Sequence, residues 1–195
     1  MYIILDVETG GIDPVEQSLL TGYLQLLDDG LNQISDFTFA LKNNTYRVSA
    51  TSLDINKINL IEHDKVAESK GAIAVRLYNW LENNLKSKEL AIPIGHNVNF
   101  DLKFMKENFP YCPQSVSLKK WEDYIHYRTL DTQVVARFLQ MAGFISKDNK
   151  CSLRDLAREL NIKDTAAHTA DGDVAVTLSV LKHLLQTIDL RKTYV

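Results

Sequence analysis

Cysteine is scarce: the 195 residues hold only Cys112 and Cys151. Two such residues are too few for a disulfide framework and lack the paired spacing of a zinc site, so both read as reduced, packed thiols. Glycine and proline are also sparse, at eight and four residues. With 45% of the chain hydrophobic and 24% charged, this excludes a collagen-like, low-complexity or disordered polypeptide. No apolar run approaches the roughly 18 to 20 residues that cross a bilayer. The opening MYIILDVETG lacks the basic, apolar and small-residue regions of a signal peptide, and we expect a cytoplasmic protein with no membrane partner. No repeat, like-charge run or Gly/Ser linker marks a boundary, so a single domain over 1–195 is expected. Positive charge is not in surplus either: the formal net charge is −3, which argues against holding a polyanion by bulk potential. That argument is open at one point, because two divalent cations bound by acidic residues would move the balance to roughly +1, concentrated where they sit.

What is present is a pattern of strands followed by strand and helix alternation. Tyr2 to Leu5, Thr21 to Leu27 and Phe37 to Leu41 are apolar or alternating runs separated by turn residues, and they predict three strands in a meander. Between Val66 and Leu85, Ile73, Leu77, Trp80 and Leu81 recur at helical spacing. Ala91 to Ile94 reads as a buried fourth strand leading into a helix with Leu102, Met105 and Phe109, and Arg128 to Leu130 as a short fifth. Helices then follow from Asp131 or Thr132 to Phe138, after a Ser152 cap, and over Val174 to Leu185. An antiparallel meander followed by alternation predicts an α/β domain with a mixed five-stranded sheet flanked by helices.

Three acidic segments carry the chemistry. In Asp6-Val7-Glu8, residues i and i+2 of a strand share a face, so two carboxylates stand side by side. The segment is either a solvated strand end or half of a cation site. Thr9-Gly10-Gly11 beside it is a turn able to approach a nucleotide closely. His96-Asn97-Val98-Asn99-Phe100-Asp101 follows the fourth strand, where sites gather in α/β sheets, and Asp101 is either a dipole-favoured first-turn residue or a carboxylate aimed back at the strand end. His168 and Asp173 bracket the start of the last helix. Five residues turn through about 500°, about 140° past a full turn, so the two cannot share a helix face and His168 belongs to the loop. A cap at Asp171 with a surface His168 is the simpler alternative for that segment alone. Together, Asp6, Glu8, Asp101 and Asp173 with one imidazole make an oxygen-rich set suited to two Mg²⁺ or Mn²⁺ ions.

In this order, DxE with TGG, HNxxFD and HxAxxD resemble the DEDD superfamily of 3′→5′ exonucleases, in its histidine-containing branch. The resemblance runs from Tyr2 to about Leu185. It implies an RNase H-like fold, with Asp6, Glu8, Asp101 and Asp173 as catalytic metal ligands and His168 as general base. It also implies a nucleic-acid 3′ end as partner and release of nucleoside 5′-monophosphates. Asp131, in Leu130-Asp131-Thr132, is expected to fix a helix start near the site, and His96 to orient backbone. The departure from the pattern is Gly10, where many members carry a second threonine beside the terminal nucleotide. Thr9, Gly10 and Ile55 are the substrate-side candidates, Ile55 as a wedge in Ser52 to Ile58, with burial as an anchor the alternative. Lys119-Lys120-Trp121 reads as a basic loop with a packed Trp, or as a stacking site for a single strand. Proofreading-type cleavage of single-stranded DNA is the expected activity. A ribonuclease T-like trimming of RNA and a non-catalytic nucleic-acid-binding module are the alternatives. Nothing in the chain points to a polymerase partner, though one is conceivable.

Overall fold

The computed structural model describes residues 1–86, 89–113, 119–163 and 168–188. Five strands, β1 (Tyr2–Thr9), β2 (Leu19–Leu27), β3 (Gln33–Ala40), β4 (Ile92–Gly95) and β5 (Leu130–Asp131), form one sheet in the order β3-β2-β1-β4-β5. The meander β1-β2-β3 is antiparallel, and β4 and β5 join it in parallel. This is the mixed five-stranded α/β sheet the sequence predicts, with β1 at its centre.

The helices are α1 (Ala50–Asn56), α2 (Leu60–Val66), α3 (Lys70–Asn84), α4 (Val98–Asn108), α5 (Thr132–Met141), α6 (Leu153–Glu159) and α7 (Ala170–Thr187). Alternation along β1 assigns the two faces of the sheet. Ile3, Leu5 and Val7 are buried in the cluster that includes Leu77 and Leu81 of α3 and Leu102 and Met105 of α4. Ile4 meets Ile94, Val174 and Leu181 on the α7 side. Asp6 and Glu8 share the parity of Ile4, so the register that buries Ile4 beneath α7 turns both carboxylates toward the same helix. A second apolar cluster packs α5 and α6 on the outer side of α7.

Two of these elements are absent from the periodicity reading. Helices α1 and α2 have seven residues each, too short for an apolar repeat, and are set by side-chain caps: Ser49 accepts from Ser52 N–H, and Asn59 from Ile61 and Glu62 N–H. The last helix starts earlier than its apolar pattern, capped by Thr169 accepting from Gly172 N–H. Both cysteines are buried free thiols.

Asp131 fixes the junction of β5 with two helices. One carboxylate oxygen accepts the N–H groups of Asn97 at 3.0 Å and Gln133 at 2.9 Å, and the other accepts Val98 N–H at 3.1 Å. It therefore caps α5 and anchors the start of α4, the role the sequence gives it. His96 serves the same corner, with one ring nitrogen 3.0 Å from the Cys151 carbonyl and the other 3.0 Å from Thr132 Oγ1. Asp131→Ala strands three backbone donors at once. We expect it to lower the unfolding free energy by about 3 kcal/mol, read from the midpoint of a urea titration; a shift below about 0.5 kcal/mol, the size of a neutral surface change, would contradict the assignment.

Candidate active site

The acidic residues converge at the C-terminal end of β1. Asp6 and Glu8 come from the strand and Asp173 from the first turn of α7, and one carboxylate oxygen from each lies within 4.8 Å of the others. Asp101, in the first turn of α4, is 4% exposed. Its Oδ1 accepts the N–H of Val7 at 3.0 Å, so it braces the strand between the two carboxylates that β1 presents. A register irregularity between Glu8 and Thr9 ends the regular pairing with β2 just past the site.

Burial and mutual repulsion act in one direction here. Asp6 is raised well above the usual aspartate range, by loss of water first and then by Asp101, Glu8 and Asp173. Glu8 is pushed from 4.5 up to about 7, by burial and then by Asp173. Asp101 is raised mainly by burial, with the Val7 N–H pulling the other way. The donors are all carboxylate oxygens, the chemistry that Mg²⁺ and Mn²⁺ prefer, and a cation among them relieves the repulsion. The residues present fit such ions.

His168 lies where the sequence reading places it, on the loop ahead of α7, half-buried and with φ of 67°. Left-handed backbone is uncommon for a residue with a side chain. His168 and Glu8 line a cleft of about 890 Å³ that continues past Tyr23 and Ile58 to Lys57 and Arg76. Its acidic lining residues are Glu8, Asp171 and Glu68, and Arg76 is held by Glu68 at 2.6 Å and by the Thr38 carbonyl at 3.2 Å.

The substrate-side candidates have distinct surroundings. Thr9 Oγ1 donates to the Gly11 carbonyl at 2.6 Å. Gly10 N–H donates to the Ser18 carbonyl and its own carbonyl accepts from Ser49 N–H, both at 2.7 Å. A Cβ on Gly10 would stand 2.3 Å from the Arg47 carbonyl oxygen and 2.8 Å from Val48 Cγ1. The Arg47-Val48 backbone thus occupies the space that a threonine at this position would need. Ile55 is 52% exposed on α1, whereas the buried residue of that helix is Asn56, whose Nδ2 donates to the Thr9 carbonyl at 3.1 Å. Asn56 ties α1 to the turn after β1, a role with no signal in the sequence, since a polar residue in a short helix reads as exposed.

His63 and Trp121 serve packing. His63 is buried, with its Nε2 3.0 Å from the Leu41 carbonyl. Trp121 is 1% exposed, which rules out its face as a stacking surface, and Lys119 is paired with Glu82.

A mixed sheet whose central strand ends in gathered carboxylates defines the RNase H-like fold. The match to a solved structure of exonuclease I has a TM-score of 0.75 at 20% identity, over 97% of this chain and 41% of that one. A family model described as Exonuclease, RNase_T, matches residues 3–181, and the chain belongs to that family. E. coli exonuclease I in complex with a dT13 oligonucleotide gives a TM-score of 0.74 at 20% identity, over 99% of this chain and 42% of that one. The PolC-type DNA polymerase III of Thermotoga petrophila is 26% identical over 87% of this chain. The chain spans 14% of that polymerase's length.

Two expectations follow. Because the folded protein holds protons on Glu8 that the unfolded chain releases above its ordinary 4.5, metal-free stability is highest below that value and falls as pH rises toward about 7. Asp6 and Asp101 act in the same sense. In melts with a chelator the midpoint should drop across that window and recover on adding Mg²⁺, and Asp6→Asn should raise the metal-free midpoint at about pH 8 by about 3–6 °C. A chelated midpoint that climbs with pH would contradict the repulsion argument. Separately, Gly10→Thr should destabilise by about 1–3 kcal/mol, measured by chemical denaturation; a neutral result would show that the Arg47-Val48 backbone yields easily.

Proposed function

We propose that this chain is a 3′→5′ exonuclease acting on single-stranded DNA and releasing nucleoside 5′-monophosphates, with 1–195 as one exonuclease domain. The observation that carries the reading is the meeting of Asp6, Glu8 and Asp173 oxygens within 4.8 Å beside an open cleft. The family supports hydrolysis of a phosphodiester. The DNA in complex with E. coli exonuclease I, and the DNA polymerase relative, favour DNA over a ribonuclease T-like substrate. A partner polymerase is proposed from the same relative. Among the described residues no helix is long and apolar enough to cross a membrane.

In the proposed mechanism Asp6, Glu8, Asp101 and Asp173 would hold two divalent cations, Mg²⁺ or Mn²⁺. When bound, these ions supply charge neutralisation for the phosphate and a lowered pKa for the attacking water. His168, in its neutral form, accepts the proton of that water as its oxygen bonds to phosphorus. The P–O3′ bond breaks in line, and the departing 3′-oxygen takes a proton from solvent. Asp101 holds the N–H of Val7 and so keeps Asp6 and Glu8 in register. Asn56 holds α1 against the turn at Thr9, where Thr9, Gly10 and Ile55 flank the terminal nucleotide. A binding module without catalysis would gain affinity by discarding these carboxylates, because they repel phosphate, and their retention supports an enzyme.

End-labelled DNA and RNA oligonucleotides incubated with Mg²⁺ or with a chelator test the reading. Stepwise loss from the 3′ end of single-stranded DNA, abolished by chelation and by Asp6→Ala or Asp173→Ala in folded protein, is the expected result. His168→Ala should lower kcat by about 10²- to 10⁴-fold. Retention of near-normal rates in any of these variants would overturn the role assigned to that residue.

A further inference from the structure

A second cleft, of about 350 Å³, lies along α4 and is lined by Lys103 and Lys106 from the helix, by His126 and Tyr127 from the chain leading into β5, and by Trp121. Lys103 and Lys106 stand about 200° and 140° around the helix from Asp101, so this cleft is on the opposite side of α4 from the acidic site. In a chain of net charge −3, no carboxylate lines it among the described residues. Lys106 is 3.7 Å from Glu122, and Lys103 has no ion pair among the described residues.

The aromatic side of the cleft is exposed and held in place. Tyr127 is 75% exposed, yet one face is stacked on His126 with centroids 4.7 Å apart and planes at 21°. His126 N–H donates to the Ala91 carbonyl at 2.9 Å, and His126 Nδ1 accepts Arg128 N–H at 2.9 Å. The Arg128 guanidinium lies over the Tyr127 ring, 5.3 Å from its centre, where a cation and a base can share the aromatic surface. A large ring exposed to water and stacked on a neighbour that is itself tied to the backbone offers a stacking platform, and Lys103, with no ion pair among the described residues, adds a cation for a phosphate beside it.

We propose that this cleft binds the single strand upstream of the 3′ end, with Tyr127 stacking on a base and Lys103 and Lys106 contacting phosphates. The inference rests on the proposed nuclease reading for the direction of the strand. Asn99, two residues before Asp101, also lines the cleft, and Lys106 lies about 10 Å further down the helix axis. A strand ending at the carboxylates reaches the platform only by passing around α4, which takes several nucleotides. A dinucleotide does not need it.

Binding is measured by fluorescence anisotropy with Ca²⁺ in place of Mg²⁺, using a long oligothymidylate and a dinucleotide. Tyr127→Ala should weaken the long oligomer about tenfold or more and leave the dinucleotide within about twofold, while Tyr127→Phe restores binding. Lys103→Glu should weaken the long oligomer and flatten its salt dependence. Unchanged binding of the long oligomer in Tyr127→Ala, equal weakening for both lengths, or uptake of an acidic peptide in preference to the oligomer would each overturn the proposal. A wild-type protein without nuclease activity whose long-oligomer binding still depends on Tyr127 would sink the nuclease reading and leave this site standing. An active enzyme indifferent to Tyr127 would do the reverse.

Discussion

Carboxylates that repel one another at the end of β1 are the constraint around which the molecule is arranged. Asp6, Glu8 and Asp101 all have raised proton affinity because burial and like charge act together. Such a cluster is unfavourable for folding, and a cation is what reverses its sign. The rest of the fold holds the cluster together against that repulsion. Ile4 beneath α7 and Leu5 and Val7 against α3 and α4 clamp the strand from both faces. The Val7 N–H to Asp101 bond ties the strand to α4 beside the cluster.

Support for the site extends outward in layers of polar anchoring. Asp131 and His96 do not face the cluster in a ligand role; they hold the corner from which α4 departs. Asn56 anchors α1 on the other flank through the Thr9 carbonyl. The Arg47-Val48 segment closes over Gly10 and leaves no room for a side chain there. The large cleft opens on the β2–β3 side of the central strand, and the cationic groove follows α4 on the β4–β5 side. The acidic centre lies between two surfaces of different character.

Much of this was legible in the chain. Ile3 to Val7 alternate, Ile73 to Leu81 recur at helical spacing, and the acidic motifs sit at a strand end and at two helix starts. Helices α1 and α2 were not legible, because seven residues capped by Ser49 and Asn59 leave no period to detect. The exposure of Ile55 and the burial of Asn56 invert what hydrophobicity suggests, because Asn56 is satisfied by a carbonyl distant in sequence. For Trp121 the neighbours Lys119 and Lys120 leave a packed ring and a stacking site both open, and the structure gives the packed ring.

By itself the sequence determined which residues carry charge and chemistry, and, through local periodicity and capping, most of the elements that present them. Those are short-range properties, set by neighbours three or four positions away. Only the tertiary structure decided that Asp6, Glu8 and Asp173 lie within 4.8 Å, that Asp101 reaches Val7, and that Gly10 must be bare. Such contacts join residues dozens to more than a hundred positions apart, and they exist only once the sheet register and the packing of α4 and α7 have been fixed together.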